Sequence, residues 1–146
     1  MEKQPIVIER TLNASPAKVW KALTDVNEMK HWYFDVSDFK PEPGFAFEFW
    51  GENEGRKFLH LCKVIDAIPE KKISYSWSYE GYEGNSVVIF ELSPHGAGTK
   101  LKLTHIGLGS FPQTNKDFDR KNFEAGWSFI LDTSLSGFLE RVKTEE

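Results

Sequence analysis

The sequence predicts an α+β domain. A curved antiparallel sheet of about six to seven strands should wrap around one long C-terminal helix, with two short helices after the first strand. Two observations carry this. Between residues 45 and 106, apolar side chains recur at every second position, the period of strands with one wet and one dry face. From about residue 119 they recur at helical spacing. An antiparallel sheet must cover its apolar face, and the last element is the one long enough to do so.

Residues 5–12 (PIVIERTL) are β-branched and extended in character, a first strand. Ser15-Pro16 reads as a helix start, Ser as N-cap and Pro at the first helical position. Val19, Trp20 and Leu23 follow on one face. Asp25 caps a second short helix over Val26 to Trp32. After the Pro43-Gly44 turn, Phe45, Phe47 and Phe49 alternate with Ala46, Glu48 and Trp50. Residues 56–68 form a long strand whose inward face stays open, since Phe58, His60, Cys62 and Val64 compete with Leu59, Leu61 and Ile65. Residues 72–79 put Ile73, Tyr75, Trp77 and Tyr79 on one face. Val88, Phe90 and Leu92 share a face in the next strand, and Leu101, Leu103 and His105 in the one after, with a hairpin connection over Pro94–Gly98. In the last quarter Phe123, Trp127, Ile130, Leu131, Ser134, Leu135 and Phe138 form one stripe. Asp117 or Asp119 starts this helix, which spans roughly 35 Å over residues 119–143. Phe129 points away from the stripe and Leu139 sits at its margin. The mixed-sign tail 140–146 is expected to fray into solvent.

Composition narrows the function. The 146 residues suit one domain, 1–146. Aromatics reach 14%, so either the core is ring-rich or a cavity is ring-lined. A net charge of −4 argues against an electrostatic grip on nucleic acid. The single cysteine, Cys62, rules out an internal disulfide and a multi-thiolate metal site. No apolar run approaches the ~18 residues of a membrane span, and the start of the chain lacks a signal-peptide stretch. A soluble cytoplasmic protein, monomer or weak homodimer, is expected.

The motifs also carry a resemblance. Val19-Trp20, Leu23-Thr24-Asp25 and Trp32 resemble the opening of the START-like, helix-grip (SRPBCC) superfamily. Pro43-Gly44 with Glu48, Ile73-Ser74-Tyr75-Ser76-Trp77, Ser86-Val87-Val88 with Phe90-Glu91-Leu92, Thr99-Lys100-Leu101 with Leu103-Thr104-His105, and Gly126-Trp127 follow in order. Together they resemble the homologues of the activator of the ninety-kilodalton heat-shock protein ATPase. The resemblance implies an apolar ligand, such as a lipid, polyketide or flavonoid-like molecule, held between sheet and helix; some superfamily members are cyclases or other enzymes. It also raises a chaperone as a partner and a role in stress response. Eukaryotic activators resembling this domain carry a separate N-terminal domain that contacts the chaperone, and this chain has no room for it.

The candidate site is a cavity lined from Phe47, Phe49, Tyr75, Trp77, Phe90, Leu103, His105, Phe123, Trp127 and Ile130, which share an inward phase. Such pockets are mostly apolar with a few placed polar groups. His105 reads either as a polar anchor for a ligand or as a core histidine bonded to a neighbour. Tyr75, Trp77, Tyr79 and Trp127 are likewise core or rim. The four histidines form no paired metal motif, and His60-Leu61-Cys62 supplies two ligands where a structural site needs about four. No metal, other cofactor or convergent acid, base and nucleophile is expected. A cyclase- or hydrolase-type enzyme acting through His105 ranks behind ligand binding and behind a chaperone-associated interaction protein using an exposed Phe129. The segment Ile106 to Phe118 is expected to act as an entrance flap, with a packed connector plugged by Phe111 as the alternative.

Overall fold

The computed structural model describes residues 5–53, 55–112 and 114–145. The expectations for the leading run Met1–Gln4 and for the last residue of the tail lie outside the described residues.

Strand β1 (Ile6–Leu12) leads into helices α1 (Pro16–Thr24) and α2 (Val26–Trp32). Ser15 caps α1 by accepting from the Lys18 N–H at 3.3 Å. Asp25 closes α1 and caps α2, accepting from the N–H groups of Asn27 at 2.8 Å and Glu28 at 3.3 Å. These oxygens satisfy amides that have no partner inside the helix. The Trp32 indole donates to the Ala22 carbonyl at 2.8 Å and so folds α2 back onto α1.

Strands β2 (Ala46–Asn53), β3 (Arg56–Ile68), β4 (Lys72–Tyr79), β5 (Ser86–His95) and β6 (Gly98–Ile106) join β1 in one curved antiparallel sheet, ordered β1-β6-β5-β4-β3-β2. The first strand pairs with the last, Ile6 opposite His105 and Leu12 opposite Thr99. On β3 the structure turns Phe58, His60, Cys62 and Val64 inward and leaves Leu61 and Ile65 exposed. The alternation there could not be read by counting because Leu59, Leu61 and Ile65 make the outer face apolar too; a bulge between Val64 and Asp66 then drops Ile65 from the ladder. The β5–β6 hairpin is tighter than a Pro94–Gly98 connection. His95 pairs with Gly98, and Gly96 takes the positive φ, 60°, that a two-residue turn needs.

The last quarter departs from one regular helix. Helix α3 (Arg120–Phe129), a π-helical segment (Ile130–Leu135) and α4 (Ser136–Glu145) run on without a break. The Ser136 hydroxyl donates to the Leu131 carbonyl, five residues back, at 3.0 Å. A π segment closes i→i+5 bonds and takes more residues per turn. The shift in phase carries Leu139 inside, 5% exposed, where a uniform helix would leave it at the margin. Phe129 stays outside at 61%. This composite helix crosses the concave face of the sheet, and α1 and α2 pack against its later part.

Candidate functional site

Two arrangements of side chains occupy the space between sheet and helix. The first is a buried hydrogen-bond chain. Trp127 Nε1–H donates to His105 Nδ1 at 3.1 Å. His105 Nε2 lies 2.8 Å from Ser86 Oγ, and Ser86 Oγ–H donates to the Trp77 carbonyl at 2.8 Å. An indole nitrogen can only donate and a carbonyl can only accept. Nδ1 is therefore bare, and Nε2 carries the imidazole proton. His105 is fully buried, and burial lowers its pKa to about 3. Both nitrogens of a neutral ring are engaged, which leaves no lone pair for a substrate. The enzyme reading loses its residue here, and His105 is a core histidine.

The second is a cavity of about 220 Å³ beside the β2–β3 hairpin. Its floor is the ends of three strands: Gly51 and Glu52 of β2, Phe58 and His60 of β3, Trp77 and Tyr79 of β4. Its roof is Asn122, Phe123, Gly126, Trp127 and Ile130 of the composite helix. Phe34, Asp117 and Phe118 close the sides. The rings interlock: His60 sits edge-on to Trp77 at 4.9 Å and to Tyr79 at 4.6 Å, and Trp77 meets Trp127 at 5.4 Å. Two glycines shape the space. A Cβ at Gly51 would come within 2.6 Å of the His60 ring, whereas one at Gly126 would meet nothing within 4 Å. Gly51 admits the histidine, and Gly126 leaves the roof open.

Four of the ten residues read from the sequence, Trp77, Phe123, Trp127 and Ile130, line this cavity. The other six are packed beyond it. Phe47 stands edge-on to Phe39 and Tyr75, both at 5.0 Å, and Phe49 stacks under His60 at 4.5 Å. The Tyr75 hydroxyl bonds to that of Tyr33 at 2.7 Å. Phe90, Leu103 and His105 lie at or near zero exposure. All ten share the inward phase, but Trp127 covers Phe90 and His105 while Tyr33, Phe34 and Phe39 cover Phe47 and Phe49. Tyr79 was legible from its phase and Phe58 and His60 from one of two competing phases; Phe34, Glu52, Asp117, Phe118 and Asn122 carried no signal.

Polar atoms around the cavity are largely engaged. The Trp77 indole donates to the Tyr79 hydroxyl at 2.8 Å. His60 Nδ1 lies 3.1 Å from the Phe58 carbonyl, so that nitrogen holds the proton, and burial lowers the ring's pKa to about 4. Asn122 donates from Nδ2 to the Lys116 carbonyl at 2.7 Å. Burial pushes the Tyr79 hydroxyl and the Cys62 thiol well above their usual range. Cys62 is thus held as an inert thiol, the packing role expected of a lone cysteine in a strand.

The segment from Ile106 to Phe118 is a packed connector rather than an open flap. It holds two 3₁₀ turns, Leu108–Ser110 and Lys116–Phe118, and buries Leu108, Phe111 and Phe118. The Ser110 hydroxyl lies 2.8 Å from both the Asn85 and Gly107 carbonyls, which share its one proton, and accepts from the Asn85 N–H at 2.9 Å. Phe111 packs on Tyr79, Phe118 and Phe123. Arg56 grips Asp117 with two donors, Nε to Oδ2 at 2.7 Å, and so ties the β2–β3 hairpin to the segment beside the cavity.

The fold and the cavity now stand beside the comparisons. A family model described as activator of Hsp90 ATPase homolog 1-like protein matches residues 13–140. The chain belongs to this family. Its sheet gripping a C-terminal helix is the START-like helix-grip architecture. Among solved structures, a Mesorhizobium loti protein is similar at 28% identity and a TM-score of 0.76, over 94% of this chain and 98% of that one. CalU16 from Micromonospora echinospora is similar at 26% and 0.71, over 97% and 79%. DynU16, from the dynemicin biosynthetic locus, is similar at 20% and 0.76, over 94% of this chain and 48% of that one. Comparison with curated proteins found no match. Among the described residues, no helix is long and apolar enough to cross a membrane.

Proposed function

We propose that this member of the activator of Hsp90 ATPase homolog 1-like family binds a small aromatic or apolar molecule in the cavity between β2–β4 and α3. One observation carries the reading: a pocket of about 220 Å³, open to solvent on one side, is lined by interlocked rings between sheet and helix. Small-molecule sites are concave, mostly apolar and carry a few placed polar groups, as this pocket does. Eight rings, counting His60, surround it, which suits a flat ligand held by stacking and edge contacts. The test is native mass spectrometry of the purified chain, looking for a co-purifying small molecule, followed by titration with flavonoid-like and fatty-acid probes. Binding lost in Gly126→Leu supports the cavity. No retained molecule, together with no probe bound at millimolar concentration, overturns it.

A second reading rests on a different observation. Phe129 is 61% exposed on the outer face of α3, where its ring is available to a protein partner. With the family's description, this supports contact with an Hsp90-type chaperone. Stimulation of the chaperone's ATPase by the wild type, reduced in Phe129→Ser, supports it; no stimulation by the wild type removes it.

A further inference from the structure

We infer that the cavity selects an aromatic ligand bearing a cationic amine and rejects carboxylates; the inference rests on the ligand-binding reading and deepens it. The argument is an inventory of what the wall still offers. The ring N–H donors at the wall are already engaged: Trp77 with Tyr79, Trp127 with His105, and the His60 Nδ1–H with the Phe58 carbonyl. Asn122 has one Nδ2–H on the Lys116 carbonyl, which leaves a second N–H to donate and Oδ1 to accept. Tyr79, whose oxygen accepts from Trp77, keeps one O–H to donate.

Charge points the same way. The acidic lining residues are Glu52, which is exposed, and Asp117, and no lysine or arginine lines the cavity among the described residues. Arg56 stands nearby with its guanidinium turned onto Asp117. His60 contributes no positive charge at neutral pH, because burial holds its pKa near 4. The remaining surface is ring faces, which carry the negative side of the aromatic quadrupole and attract cations. A carboxylate placed here would meet π faces and the nearby Glu52, with the Tyr79 O–H and one Asn122 N–H as its donors, since Arg56 already pairs with Asp117. An ammonium would meet π faces, the Asn122 Oδ1 acceptor and the nearby Glu52. The chain's net charge of −4 adds a favourable long-range field for a cation.

The experiment is isothermal titration calorimetry of the full chain with three probes of one shape: naphthylmethylammonium, naphthylmethanol and naphthylacetate, at neutral pH and low salt. The ammonium should bind about tenfold tighter than naphthylacetate, in line with a partly desolvated cation–π site. It should also bind tighter than the alcohol, and its binding should disappear in Gly126→Leu, whose fold is checked by circular dichroism. Naphthylacetate binding as well as the ammonium, or the alcohol matching it, overturns the selection for a cation while leaving cavity binding in place. Ammonium binding that survives in folded Gly126→Leu assigns it to the acidic surface and overturns the proposal. If no probe binds, the proposal and the ligand-binding reading fall together.

Discussion

Trp127 donates its indole N–H to Nδ1 of His105 at 3.1 Å, and that bond joins the gripped helix to the centre of the sheet. The chain continues through Ser86 to the carbonyl of Trp77, so α3, β6, β5 and β4 share one run of donors and acceptors. At the same time Trp127 and Trp77 form part of the cavity wall. The bonds that fix these two rings inside the fold therefore also fix the shape of the space they border.

Ser86→Ala removes the middle of that chain. It leaves the His105 Nε2–H without its partner, in a site where Ser86 is 1% and His105 0% exposed. The expected loss is about 1–3 kcal/mol, the usual consequence of stranding buried polar groups, measured by urea unfolding. Trp127→Phe should cost a similar amount, and the double mutant less than the sum, since both changes break one network.

Trp127→Ala tests the wall directly. A fully packed tryptophan would lose about 3–5 kcal/mol on truncation. Because one side of this ring already borders open space, the loss should fall at the low end of that range. Thermal unfolding reads the stability, and titration of the wild type and mutant with an aromatic probe reads the stacking surface.

Stability should fall with pH before the carboxylates titrate. Burial lowers His105 to about 3 and His60 to about 4, from an ordinary value of 6.5. Below 6.5 the unfolded chain takes up protons that the native state refuses. The stabilisation is complete above that pH and is lost as pH falls toward the native values. Each histidine contributes a slope of up to about 1.4 kcal/mol per pH unit. Urea midpoints between about pH 7 and about pH 5 should decline, above most carboxylate titration. In His105→Gln, whose amide can still accept from Trp127 and donate to Ser86, the slope should be roughly halved.

Two glycines of the cavity should respond with opposite signs. Gly126→Ala adds a methyl group where nothing lies within 4 Å, and it should stabilise the helix by about 0.8–1 kcal/mol. Gly51→Ala brings its Cβ within 2.6 Å of the His60 ring. The ring must leave its stack on Phe49, and the melting temperature should drop.

Amide exchange across Leu108–Phe111 should approach the protection of the central strands, because Leu108 and Phe111 are 1% and 2% exposed. Exchange as fast as in exposed loops would restore the flap in place of the plug.

The sequence by itself determined the architecture and the identity of most elements. Period two and helical spacing are local signals, and so are the caps at Ser15 and Asp25. The ordered motifs from Val19-Trp20 to Gly126-Trp127 were enough to place the chain in its family. What local pattern could not decide was distance. Phe47, Phe90 and Leu103 have the same inward phase as Trp77, yet the first three are packed solid and Trp77 borders a cavity. Phase states which face a side chain takes. Whether the opposite layer touches it depends on sheet curvature, on the bulge at Val64/Asp66 and on the π segment at Ile130–Leu135. The roles of His105 and Gly126 were decided at that level too. A histidine becomes a core relay when Trp127 and Ser86 reach both its nitrogens, and a helical glycine opens a roof when nothing packs against it. Both depend on residues brought together across the fold, which no spacing along the chain encodes.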